Sequence, residues 1–278
     1  MKNAVQDLVV SFFGFVSSTL TAFLLWKIEE ILGFSIYSFS LWFIIPIGAI
    51  GCGFLAASGY YLGSVLFGHR PSKMLMFNMV LISISTFFMV HWFSYASIEI
   101  EGKLLSDYIS LIDYLKYILQ HQSMEFRVHA VKVGESGELG SIGFFTAFLQ
   151  IVGFAIGGFV VYGYLSNLPY CTSCAVYLKS KMKNVRYFGS ADTFAKMFDE
   201  LIDYFKNSEL QNAITLHKNA GEPEHFSDAY LIATLHRKQC TKCQQNWLSF
   251  SAHKKNGNEW NEIEDVKVSK FYAGELHD

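Results

Sequence analysis

The stretch GAIGCGFLAASGYYLGSVLFGHRPSK, residues 48–73, carries the features that decide the fold class. Together with the residues before it, it forms a run over 39–67 that contains no Asp, Glu, Lys or Arg. About 20 helical residues suffice to cross the roughly 30 Å hydrocarbon core of a bilayer. The run is long enough to span, and it closes on a short link, GHRPSK, holding Arg70 and Lys73 without an acid. An apolar run followed by such a link reads as a transmembrane helix whose end faces the cytoplasm.

Three further uncharged runs, 8–26, 74–95 and 141–165, meet the same length requirement. The first follows a short basic start, MKN, as a signal peptide would. Its apolar run exceeds the usual signal core and no Ala-x-Ala site precedes Lys27, so it reads as a retained span. With 51% apolar and 17% charged residues over 278 positions, the chain belongs among membrane proteins. Residues 1–165 are expected to form an α-helical four-span transmembrane domain, and 166–278, with 14 basic and 14 acidic residues, a small α+β domain.

Charge placement orients the chain. Lys179, Lys181, Lys183 and Arg186 follow the fourth run, whereas the long link over 96–140 is poor in Lys and Arg. By the positive-inside rule both termini and the tail face the cytoplasm, the 96–140 segment is extracytoplasmic, and a bacterial inner membrane is the expected location.

Within the spans, Ala49, Gly53 and Ala57 recur every four residues, as do Gly59 and Gly63, and Gly153 and Gly157. Small residues at that spacing let helix backbones approach. Packing within one chain, the second span against the fourth, is the simpler reading, and a homo-oligomer interface is the alternative. Pro46 is expected to kink the second span. Cys52 reads as a small core residue, His91 beside Trp92 as an interfacial anchor, and Asn78 as a member of a helix-to-helix hydrogen bond. The spans offer no acid, Lys or Arg to a transported ion or proton, which argues against a pump.

Within LLSDYISLIDYLKYILQ, residues 104–120, Asp107, Ser110 and Asp113 fall on one helical face and Leu105, Ile109, Ile112 and Leu119 on the other. Such a helix can lie on the outer leaflet or cover the spans. FRVHAVKV then alternates as a strand, and GESGELGSIG reads as a turn into the fourth span.

The tail writes one phrase twice, YCTSC at 170–174 and QCTKC at 239–243. In a reducing compartment paired thiols hold a metal more readily than a disulfide. The x-x spacing aims both sulfurs of a pair at one ion, and two pairs fill the tetrahedral shell that Zn2+ prefers. Between the pairs, GSADTFAKMFDELIDYFKN places Phe194, Met197, Phe198, Leu201, Ile202 and Phe205 at helical spacing with Asp199, Glu200 and Asp203 opposite, and Ser190 as cap. A second helix is expected from Ser208, with Gln211 completing a capping box, and ends before Gly221 and Pro223. The insert, about 190–220, is thus a helical hairpin. The sequence then alternates in three strands, DAYLIATLHRKQ, NWLSFSAHKKNGNEW with a turn at Asn256 and Gly257, and EDVKVSKFY.

Cys171, Cys174, Cys240 and Cys243, set among such strands, give 170–272 a resemblance to the zinc ribbon, a small metal-held sheet. The helical insert departs from the compact form. Zinc ribbons serve protein docking, nucleic-acid binding or simple stiffening, so the resemblance does not choose a function. His217 and His236 lie outside the expected four-sulfur shell.

A neutral tail argues against nucleic acid. Tyr230 and Trp247, flanking the second pair, are the aromatic candidates for core or docking. The expected function is a polytopic membrane protein displaying a cytoplasmic structural-zinc domain for docking a protein partner or for signalling. A transporter or oligomeric-channel subunit with a zinc-ribbon assembly or gating domain is the alternative, and a membrane thiol-disulfide or metal-transfer protein the second. No phosphate loop, nucleophile elbow or His-Glu-x-x-His pair marks an enzyme.

Overall fold

The computed structural model describes residues 2–41, 44–128, 131–257, 259–272 and 276, with side chains outside 2–4 and 124–136. The chain forms two compact units, Met1–Asn167 and Leu168–Asp278, dividing two residues beyond the boundary expected from charge.

In the first unit, α1 (Lys2–Leu32), α2 (Ile47–Phe67), α3 (Lys73–Ser97) and α5 (Ile142–Asn167) are the long helices, and all four are long and apolar enough to cross a membrane. α1 and α5 each pack between α2 and α3. Lipid tails are as apolar as Leu, so association depends on close fit and on polar ties between helices. The small residues supply the fit. A Cβ on Gly157 would lie 2.5 Å from the Ile50 carbonyl oxygen and 2.6 Å from the Gly53 carbonyl carbon, so glycine is required where α5 crosses α2. Ala49 meets Gly153 on the same seam, whereas Gly59 and Gly63 turn toward Phe13 and Val10 of α1. Ala57 is buried. Every member of the pattern therefore packs inside one chain.

Polar ties complete the bundle. Ser17 Oγ donates to the Ala56 carbonyl at 2.6 Å and accepts from the Gly59 amide at 3.0 Å, and Ser18 shares a 2.7 Å bond with Thr86. Asn78 Nδ2 donates to Ser11 Oγ at 3.3 Å, the helix-to-helix bond expected of it. The basic link is well defined: Gly68 ends α2 in the left-handed region, Ser72 caps α3 by accepting from the Leu75 amide at 3.0 Å, and His69 Nε2 meets Asp7 Oδ1 of α1 at 2.7 Å. Cys52 is buried in the core.

Four expectations for this unit are corrected. Pro46 does not kink the second span: it is the N-cap of α2, and 36–38 form a 3-10 turn before it, because proline is at home at a helix start and not inside one. His91 is no interfacial anchor. It is buried against Phe87, with ring centroids 4.6 Å apart, while Trp92 is the exposed neighbour. The amphipathic helix α4 spans Leu111–His121, starting after the Ser110 cap, so Leu105 and Ile109 lie before it. Leu111, Leu115 and Ile118 pack with Tyr95, Leu105 and Tyr114, and Ile109 and Ile112 are exposed. The residues flanking α4 are also tied to the long helices α3 and α5, since Tyr95 donates to the Ile109 carbonyl at 2.7 Å and Gln122 Nε2 to Thr146 Oγ1 at 2.7 Å. Finally, FRVHAVKV is part of a hairpin of β3 (Ser123–Val128) and β4 (Val131–Glu138), and β4 takes up the glycines of GESGE that read as a turn. A small ladder of β1 (Glu99–Ile100) and β2 (Lys103–Leu104) precedes them.

The second unit holds a two-stranded ladder of β5 (Tyr170–Cys171) and β6 (Val176–Tyr177), and an antiparallel sheet. The sheet contains β7 (Lys179–Phe188), β8 (Leu231–Gln239), β9 (Asn246–Asn256), β10 (Glu259–Glu262) and β11 (Val268–Tyr272). Its order is β10-β9-β8-β7, and β11 also pairs with β9, over residues 246–250. The expected three strands are present as β8, β9 and β11, but 264–266 of EDVKVSKFY form a 3-10 turn, β10 is an additional short strand after the turn at 256–257, and β7, read from sequence only as a positive run, is an additional full-length partner of β8.

The helical hairpin is α6 (Ala191–Asn207) and α7 (Leu210–Asn219). Phe194, Met197, Leu201 and Phe205 of α6 bury against Leu231, Leu235, Leu248 and Phe250, which alternate along one face of the sheet. Its capping differs from expectation. Ser190 stands at the N-cap without a side-chain bond, and Ser208 is the left-handed C-cap of α6, so it cannot open the capping box with Gln211.

Candidate metal centre

Each Cys-x-x-Cys pair sits at a chain reversal. The first starts at the last residue of β5 and runs through the loop to β6, closed by the Leu178 amide donating to the Pro169 carbonyl at 3.0 Å. The second joins β8 to β9, closed by the Cys240 amide donating to the Gln245 carbonyl at 2.8 Å. The residue after the second cysteine is left-handed in both, Ala175 at φ 51° and Gln244 at φ 60°. Neither is glycine, so each loop carries a conformational cost of about 1–2 kcal/mol that its surroundings must offset. The backbone amide of Cys174 points at Cys171 Sγ, and the amides of Cys243 and Lys242 point at Cys240 Sγ, Lys242 at 3.4 Å. The two loops thus present amide dipoles to their first sulfurs in the same manner.

β8 and β7 bring the loops together. Lys179 pairs with Gln239, the residue before Cys240, so the chain leaving β6 delivers the first loop beside the second. The four Sγ atoms lie within 4.8 Å of one another, and Cys171 and Cys243 are 3.6 Å apart. Four sulfurs around an ion at bonds of about 2.3 Å stand roughly 3.8 Å from each other in a tetrahedron. The separations therefore suit a tetrahedral metal, and all five cysteines of the chain are free thiols. Cys171 and Cys240 are buried, with Leu178, Val176 and Trp247 packed around them, whereas Cys174 is half-buried and Cys243 exposed.

The electrostatics of the thiols diverge. Burial raises Cys171, offset in part by the Cys174 amide. Cys174 is pushed up to about 12, first by its contact with Cys243 and then by burial. Burial acts on Cys240 in the same direction, yet the amides of Cys243 and Lys242, together with the sulfurs of Cys243 and Cys171, outweigh it and bring the thiol down to about 7. Cys240 is thus the thiol favoured to ionise while Cys171 and Cys174 are shifted the other way, because thiolates this close repel one another until a cation joins them.

Other candidates lie apart from the sulfurs. His217 is fully buried on α7 with its ring 5.8 Å from Phe250, and His236 shares a 2.7 Å bond with Ser180. Tyr230 and Trp247 do not form one surface. Trp247 flanks the cysteines, whereas Tyr230 precedes β8 at the far end of the sheet, under Lys254. Sequence reasoning missed Ala175 and Gln244, whose backbone shape glycine would have signalled, and Gln245, whose Oε1 lies 3.6 Å from Cys171 Sγ. Comparison with known protein families, with curated proteins and with solved structures finds no significant match to this chain.

Proposed function

We propose that the chain is a polytopic membrane protein whose second unit is a cytoplasmic zinc-ribbon-like domain that docks a protein partner, with one structural Zn2+ held by Cys171, Cys174, Cys240 and Cys243. The convergence of four sulfurs from two similar loops carries the reading. Four-sulfur tetrahedral sites suit Zn2+, and such closed shells are structural. The basic links support a cytoplasmic tail in a bacterial inner membrane. Exposed Asp199, Glu200 and Asp203 on α6 offer a partner an acidic helical face backed by a firm core.

Metal analysis of the purified full-length protein tests it. About one zinc per chain, absent from Cys240→Ser, is expected, together with loss of the partner crosslinked through α6 when Asp199, Glu200 and Asp203 become Lys. A metal-free protein whose Cys-x-x-Cys disulfides cycle readily would instead point to thiol chemistry.

A further inference from the structure

The tail is neutral overall, yet its charges are sorted. Residues 166–189 and 229–258, which supply both cysteine loops and strands β7, β8 and β9, contain none of the tail's 14 acids and nine of its 14 bases. Twelve of the 14 acids fall on the helical insert and on the segments 222–228 and 259–265, the other two being Glu275 and Asp278. The sheet face opposite α6 and α7 therefore presents Lys183, His236 and Lys238 with hydroxyls of Thr234, Ser249 and Ser251. His236 feels the charges of both Lys238 and Lys183. Lys179, Lys181 and Lys242 extend the positive region at the cysteine end, and all three are exposed. Beside them stand Trp247, under Lys238, and its cross-strand partner Phe271, which is 45% exposed.

We propose that this lysine-rich, aromatic-flanked cysteine end of the β7–β8–β9 face binds the anionic phospholipid headgroups of the bilayer that α1, α2, α3 and α5 cross. Chain connectivity favours this polyanion over others. α5 ends at Asn167 and β5 starts at Tyr170, so the start of the hairpin that carries the first cysteine loop is tethered within about 11 Å of the helix end. That is little more than the Debye length of about 8 Å at physiological salt, so the tether keeps this end of the tail within range of a negative leaflet. Lysine with tryptophan is also the pairing that suits a headgroup layer, the cation meeting phosphate and the ring lying among the glycerol groups. The inference rests on the membrane reading and is independent of which metal the cysteines hold.

Full-length protein in nanodiscs provides the test. Incorporation in discs reports on the spans themselves, and lysine labelling by an amine-reactive reagent, read by mass spectrometry, reports on the face. In equal parts phosphatidylcholine and phosphatidylglycerol, Lys179, Lys181, Lys183, Lys238 and Lys242 should label at least about five-fold more slowly than in phosphatidylcholine alone. Lys196, Lys206 and Lys218 on the insert should be unchanged, and high salt should abolish the difference. In Lys181→Glu/Lys183→Glu, Lys238 and Lys242 should lose their protection. The comparison of lipids needs no variant, so it stands if that variant misfolds. Equal labelling in the two lipids overturns the proposal. So does protection of these lysines by a single-stranded RNA in phosphatidylcholine discs with none from phosphatidylglycerol, which would assign the face to nucleic acid.

Discussion

Cys240 is wholly buried and takes two amide hydrogen bonds on its sulfur, so its replacement isolates what a thiolate does at this point. Serine fits the space but does not ionise near neutral pH, and Cys240→Ser should lower zinc retention against a competing chelator by at least about ten-fold. Cys52→Ser, in the helical bundle, should leave it unchanged. His217 gives a second test. Among the described residues its ring nitrogens find no hydrogen-bond partner of normal geometry, and burial, then the nearby Arg186 charge, lowers its pKa to about 4. The unfolded chain binds that proton near pH 6.5, so the stabilisation from a neutral ring is complete above about pH 6.5 and is lost as pH falls toward 4, by up to roughly 3 kcal/mol. His217→Phe should shift the acid unfolding of the tail to lower pH, as read by hydrogen exchange of 194–216. Acid also strips thiolate metals, which affects wild type and variant alike, so the difference between them reports the histidine. The four cysteines were legible because their spacing is dictated by coordination geometry. The fate of His217 was not, because burial of a single ring depends on how α7 meets the sheet.

The seam between α2 and α5 shows how far periodicity reaches. Gly53 and Gly51 are two residues apart on one helix, yet a Cβ at Gly53 would lie 2.7 Å from the Phe154 Cα, whereas none of the described residues comes within 4 Å of one at Gly51. Gly53→Ala should destabilise the bundle by about 1–3 kcal/mol, since backbone cannot yield as a side chain can. Gly51→Ala should be neutral or slightly stabilising, through its helix propensity. Thermal denaturation in detergent, side by side, checks both, and equal effects would place the seam elsewhere. The four-residue spacing of Ala49, Gly53, Gly153 and Gly157 was enough to identify this contact, because close backbone approach leaves a strict mark on residue size. β7 left a weaker mark. Lys179, Lys181 and Lys183 occupy every other position, which reads equally as a solvent-facing strand or as positive charge fixing topology, and only pairing with β8 decides. α4 was misjudged for a related reason: the Ser110 cap sets where its helical phase begins, and a shifted start moves Leu105 and Ile109 off the helix.

Two separate apolar clusters in the tail determine what a metal can hold together. One joins α6 and α7 to the sheet through Phe194, Leu201, Leu210, Ile214, Leu235 and Phe250. The other surrounds the sulfurs with Leu178, Val176 and Trp247. Small zinc modules lacking a core unfold when the ion leaves, because binding energy is their folding energy. Here each large buried side chain of the first cluster contributes about 1.5–3 kcal/mol without any metal, whereas the left-handed turns at Ala175 and Gln244 add cost to the loops alone. Chelation of the full-length protein should therefore raise amide exchange sharply over 170–178 and 239–246, leave 197–201, 231–235 and 248–252 protected, and not alter 47–67 or 142–167. Exchange-coupled mass spectrometry with and without chelator reads all three regions at once. Loss of protection across the whole of 168–278 would make the metal the keystone of the tail's fold. Confinement of the loss to the two loops would make it a clasp on one end of a sheet already held by its own core, the end that carries Lys181, Lys238 and Trp247. In that case metal release would disorder only the cysteine end of the basic face, at Lys242, while leaving strands β7, β8 and β9 and the acidic helix α6 in place.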